Sequence, residues 1–120
     1  MAQLPQASTP DPTGLEPASE PFGCEPEDVG AALMIDVRRA PRFQEATDML
    51  PGAIWHDPQE VELWASRYTS GQEIVVYCVH GHEVSRGTVM ALKARGLNAR
   101  FLRGGIEAWR ALGLPLSLKR

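Results

Sequence analysis

The chain has 120 residues with 12 basic and 15 acidic side chains, a formal net charge of −3. That length suits one domain with a real core and no need of disulfide or metal staples, and two cysteines allow one bridge at most, between Cys24 and Cys78. No apolar stretch reaches the roughly 18 residues that cross a bilayer, and the start lacks the charged and apolar blocks of a secretory leader, so a soluble, cytoplasmic chain is expected.

Residues 1–26 read as an acidic, Pro-rich tail. Six of the ten prolines lie there, and residues 1–30 hold six acids and no Lys or Arg. Apolar residues are too sparse to offset the entropy of ordering, so extended or disordered backbone is expected. An acidic front is the opposite of a basic nucleic-acid arm and argues against one. The mildly basic remainder suits small anions better. Cys24 falls in this tail and reads as an exposed linker thiol.

From residue 27 to 120 the pattern is that of a folded domain. Glu25 to Ala32 suggests a short helix, and Leu33-Met34-Ile35 followed by Asp36-Val37 a short buried strand. Pro41 at a first helical position opens a short helix through Ala46. Pro51-Gly52 turns into a small buried strand at Ala53-Ile54. Asp57 caps a helix whose apolar positions, Val61, Trp64, Ala65 and Tyr68, follow helical spacing. Gly71 ends it.

Ile74-Val75-Val76-Tyr77 is a continuous β-branched and aromatic run, the mark of a strand buried on both faces of a parallel sheet. A loop from Cys78 leads to a helix over about Ser85 to Arg95, with Ser85 as N-cap. Ala99 to Leu102 is another strand, and Gly104-Gly105 turns into a last helix through Leu112, stopped by Gly113 and Pro115. Strands alternating with helices predict an α/β fold: a mainly parallel sheet with helices on both faces.

The chemistry concentrates in Tyr77-Cys78-Val79-His80-Gly81-His82-Glu83-Val84-Ser85-Arg86-Gly87. Open α/β sheets bind ligands at the carboxyl ends of their strands, where Cys78 stands. Successive amides of a glycine-containing loop converge on an anion, and the following helix N-terminus adds partial positive charge. The same groups favour a thiolate. Such geometry suits sulfur transfer, phosphoryl transfer and oxyanion reduction equally; the bland alternative is a buried small hydrophobe at a strand end.

Four segments then match one family in order: Ile35-Asp36-Val37-Arg38, Leu50-Pro51-Gly52-Ala53-Ile54, Tyr77 to Arg86, and Gly104-Gly105-Ile106-Glu107-Ala108-Trp109. Over about residues 27–118 the chain resembles the rhodanese-homology domain. The resemblance implies a five-stranded, mainly parallel sheet flanked by helices, and a cysteine that carries a persulfide between a sulfur donor and a nucleophilic acceptor. By position Cys78 matches that cysteine, and Val79, His80, Gly81, His82, Glu83, Val84, Ser85 and Arg86 form the loop and helix start that hold the persulfide.

The loop departs from the common sulfurtransferase pattern by one extra residue between Gly81 and Ser85. Related cell-cycle phosphatases and arsenate reductases have a longer loop that admits a tetrahedral oxyanion. They usually end it in a clamping Arg, where this chain has Val84, and Arg86 comes two residues later. Glu83 also repels a dianion at close range.

The reading is therefore a single-domain sulfurtransferase: a small anionic donor such as thiosulfate, a thiol or protein acceptor, no cofactor, no metal, and neither nucleic acid nor membrane as partner. An oxyanion-handling enzyme and a non-catalytic binding or redox-sensing module are the alternatives. His80 and His82 either assist the thiolate and a bound anion or are solvated imidazoles. With Cys78 they offer three metal donors, but a tight loop rarely presents three tetrahedrally. Arg86 either meets an anionic donor or is a surface arginine. Asp36 and Arg38 read as structural, pinning neighbouring loops, and Trp55, Trp64 and Trp109 as packing.

Overall fold

The computed structural model describes residues 19–119. Strands β1 (Gly23–Cys24) and β2 (Leu33–Asp36) precede helix α1 (Ala40–Glu45); β3 (Asp48–Met49), β4 (Ile54–Trp55) and the short helix α2 (Val61–Trp64) follow. Then come β5 (Glu73–Tyr77), α3 (Glu83–Ala94), β6 (Asn98–Leu102), α4 (Gly105–Ala111) and β7 (Ser117–Leu118). Five strands form one sheet in the order β1-β6-β5-β2-β4, every pair parallel. A separate antiparallel pair joins β3 to β7.

β5 is central, and its alternation explains its composition. Ile74 and Val76 face one side, packing with Ile35, Trp64, Val89, Leu92 and Phe101. Val75 and Tyr77 face the other, with Met34, Leu50, Leu102 and Ile106. Both sides are covered, by α2 and α3 on one and α4 on the other, so a polar residue has no favourable place between Ile74 and Tyr77. Burying each such side chain contributes about 1.5–3 kcal/mol.

Several expectations change, among them the helix expected over Glu25 to Ala32, which is a 3-10 turn at Pro26–Asp28. The tail expected through Pro26 is shorter at its C-terminal end: residues 20–22 form a 3-10 turn and Gly23–Cys24 pairs with β6. Its remainder, residues 1–18, lies outside the described residues. Cys24 is therefore no exposed linker thiol; it is 3% exposed in the sheet, and both cysteines are free. The helix expected after Asp57 is broken into 3-10, α and 3-10 turns over Pro58–Arg67, although the Asp57 carboxylate caps it at Gln59 N, 2.9 Å away. The strand expected to be buried at Ala53-Ile54 runs Ile54–Trp55 at the sheet edge, where Ile54 is exposed. Among the described residues no helix is long and apolar enough to cross a membrane.

Candidate active site

The register of β2 against β5 sets Asp36 beside Tyr77. Because the strands are parallel, the chain leaving Asp36 and the chain leaving Tyr77 emerge together. Arg38 to Arg42 thus face Cys78 to Val84 across a cavity of about 410 Å3. One wall is Cys78, Val79, His80, His82, Glu83 and Val84; the other is Arg38, Arg39 and Arg42.

Arg38 is committed elsewhere. Buried, it holds both carboxylate oxygens of Asp36, at 2.6 to 3.1 Å, and donates to the Asp48 carbonyl at 2.8 Å, which pins the β2 exit to the β3 turn. The Asp36 and Arg38 pair is structural, as its chemistry suggests. Trp55 supports it by donating its indole N–H to the Arg38 carbonyl at 2.8 Å. Arg39 and Arg42 are exposed and form no ion pair among the described residues. Their charge is left for the cavity, which holds one opposing carboxylate, Glu83.

Cys78 closes the floor at 6% exposure. Its thiol donates to the Ser85 hydroxyl at 3.2 Å. Ser85 is fully buried in the first turn of α3 and is not its N-cap; the helix begins at Glu83, with His82 in the capping position and no side-chain cap. The Ser85 hydroxyl is thus turned to the sulfur.

Gly81 makes the loop possible. Its φ of 75° lies in the left-handed region, and a Cβ there would stand 2.6 Å from Gly104 N and 2.7 Å from Leu102 O. The amides of Ile106 and Glu107, from the first turn of α4, donate to the carbonyls of Cys78 and Val79 at 3.0 and 3.1 Å. These bonds tie the start of the loop to α4.

The structure gathers most of the expected loop residues and separates others. Val79, His80, His82, Glu83 and Val84 line the cavity with Cys78; Gly81, Ser85 and Arg86 do not. Arg86 donates to the Gly81 carbonyl and to Glu20. The rings of His80 and His82 stand 6.3 Å apart, and among the described residues no three His, Cys, Asp or Glu side chains cluster as metal ligands. Arg39 and Arg42 escaped the sequence reading. The signal that finds them is the pairing of β2 with β5, since residues after neighbouring parallel strands share one rim.

Comparison with known proteins agrees with this fold. The profile of the Rhodanese-like domain family matches residues 25–112. The structure is similar to that of a rhodanese-related protein from Thermoplasma volcanium, with TM-score 0.71 and 24% identity over 81% of this chain and 98% of that one. It is also similar to a rhodanese-like domain protein from Staphylococcus aureus, with TM-score 0.68 and 20% identity over 82% and 98%. A third is a Rhodopseudomonas palustris protein of unknown function, described as a possible tyrosine phosphatase, with TM-score 0.67 and 22% identity over 78% and 82%. No curated protein sequence matches the chain. With its α/β fold, its strand-end cysteine loop and a family match over most of its length, the chain belongs to the Rhodanese-like domain family.

Proposed function

We propose that this chain is a sulfurtransferase that moves sulfane sulfur from a small anionic donor, thiosulfate or a persulfide, to a thiophilic acceptor through a persulfide on Cys78. The observation that carries the reading is the shared cavity: Cys78 lines the same space as Arg39 and Arg42, which form no ion pair among the described residues. A dianion approaching the sulfur meets positive charge first.

In the first half-reaction the Cys78 thiolate attacks the outer sulfur of thiosulfate. The donor S–S bond breaks, sulfite leaves with the electron pair, and Cys78 keeps the transferred sulfur as a persulfide anion. In the second, cyanide, a thiol or a protein thiol attacks that outer sulfur, and the Cys78 thiolate is regenerated. Loop amides between Val79 and Ser85 hold the anion, while the Arg86 amide is taken by the His82 carbonyl at 3.0 Å. Once the sulfur has lost its proton, the Ser85 hydroxyl becomes the donor, because a thiolate only accepts. No cofactor takes part.

Oxyanion chemistry (a phosphatase, or an arsenate or chromate-type reductase) is the second reading, and the longer loop beside a roomy cavity favours it. Against it stands Arg86, whose Nε and Nη1 donate to Gly81 and Glu20 and which does not line the cavity. Steady-state kinetics with thiosulfate and cyanide test the proposal. The expected result is parallel double-reciprocal lines, with one sulfite and one thiocyanate per turnover, abolished by Cys78→Ser. Phosphate-ester turnover in place of thiocyanate release favours the second reading, and no turnover of either kind favours a binding or redox-sensing module.

A further inference from the structure

The far side of the Cys78 loop is held by a residue that precedes the sheet. Glu20 lies in the 3-10 turn before β1. Its carboxylate accepts from Arg86 Nη1 at 2.6 Å and from Arg103 Nη1, while its carbonyl accepts from Arg103 Nη2 at 2.7 Å. Arg86 in turn donates through Nε to the Gly81 carbonyl at 3.1 Å. Both guanidiniums lie over the Phe101 ring, 4.5 and 5.6 Å from its centre, so the cluster rests on the buried face of β6. The two arginines also hold the Glu20 carboxyl below its ordinary range, Arg86 foremost, so the clamp stays charged through neutral and mildly acidic pH.

The consequence for the loop follows from peptide geometry. The Gly81–His82 peptide is trans and planar, so its C=O and its N–H point to opposite sides. A carbonyl held on Arg86 aims the His82 amide away from Arg86. If that carbonyl is released, the peptide is free to rotate and present a lone pair where an amide is needed. Left-handed Gly81 is the hinge at which such rotation costs least.

We propose that Glu20 is a positioning residue for Cys78: by seating Arg86 on the Gly81 carbonyl, it fixes the loop amides in the orientation that holds anionic sulfur. The proposal rests on reading the loop as a cradle for sulfur, and it makes the segment before β1 part of the active-site architecture. Charge alone predicts the reverse effect. Glu20 is a carboxylate, and removing it makes the neighbourhood more attractive to a dianion and to a thiolate.

The test uses the full chain as Glu20→Gln, Arg86→Gln and the double variant. Three quantities are read: kcat and KM with thiosulfate and cyanide, the rate of Cys78 alkylation by iodoacetamide at neutral pH followed at its own peptide, and the thermal midpoint. Each single variant is expected to lower kcat about tenfold with little change in KM, since misplacing a reacting group by about 1 Å can cost 100-fold. Each also slows alkylation, and the double variant is no worse than Arg86→Gln, because both act through one linkage. A purely structural role gives a different sign, since partial unfolding exposes Cys78 and speeds alkylation. Wild-type or faster kcat and alkylation in Glu20→Gln, or losses that multiply in the double variant, overturn the proposal. Should wild type not turn over thiosulfate, sulfur transfer fails while the alkylation rates still decide the role of Glu20.

Discussion

The Tyr77 hydroxyl donates to Asp36 Oδ2 at 3.0 Å and accepts the Leu50 amide at 3.1 Å. One phenol thereby ties the strand that delivers Cys78 to the strand that delivers the arginine wall. Burial foremost pushes its ionisation far above the ordinary tyrosine range, so it remains a donor at any working pH. Tyr77→Phe leaves the Leu50 amide buried without a partner and is expected to cost about 1–3 kcal/mol. Asp36→Ala strands the buried Arg38 charge and is expected to cost about 3–5 kcal/mol. Urea denaturation measures both, and an Asp36 variant as stable as wild type removes the pair from the account.

Ser85→Ala tests the hydrogen bond to the sulfur with little change in packing. A hydrogen bond to a charged group contributes about 1.5–3 kcal/mol, so kcat is expected to fall by roughly 10- to 100-fold. The fold should lose far less, since only one small hydroxyl is removed. Unchanged kcat in a folded variant means that Ser85 is mere filling.

Arg39→Gln and Arg42→Gln are each expected to raise KM for thiosulfate by about 1.4- to 5-fold, in keeping with the about 0.2–1 kcal/mol of exposed charge interactions. The wild-type KM should rise with salt and those of the variants less steeply. Alkylation of Cys78 by neutral iodoacetamide should stay near wild type in both. A KM insensitive to both charges and to salt contradicts the cationic wall as the donor's entry.

His56 stacks on Trp64 with ring centres 4.5 Å apart and shares a 2.8 Å hydrogen bond with the Tyr68 hydroxyl. Burial first, and the Arg67 charge second, lower its pKa from the ordinary 6.5. Below that value the unfolded chain therefore takes up a proton that the folded chain resists. The stabilisation is complete above about pH 6.5 and is lost as pH falls from there through the lowered folded value. The thermal midpoint should drop between pH 7 and 5, and less so in His56→Phe, which keeps the stack. Parallel pH profiles for the two proteins contradict this role.

The strand–cysteine–helix unit was legible because its signal is local: four apolar residues, a cysteine, a glycine-bearing loop and a helical pattern. Three of the two-residue strands were not, since Gly23–Cys24 and the β3–β7 pair are too short to show a period, and long-range pairing defines them. Ser85 read as an N-cap because serine prefers that position. The structure gives its hydroxyl a partner seven residues back instead. Arg39 and Arg42 were invisible for a similar reason: they join Cys78 through strand order, which a pattern along the chain does not contain.

The central claim is a sulfur carried on Cys78, and intact-protein mass spectrometry tests it most directly. Reduced protein is incubated with thiosulfate beside a Cys78→Ala control. The account predicts one added sulfur, lost on cyanide treatment and absent from the control. No adduct on well-folded protein, or an equal adduct on the control, contradicts it.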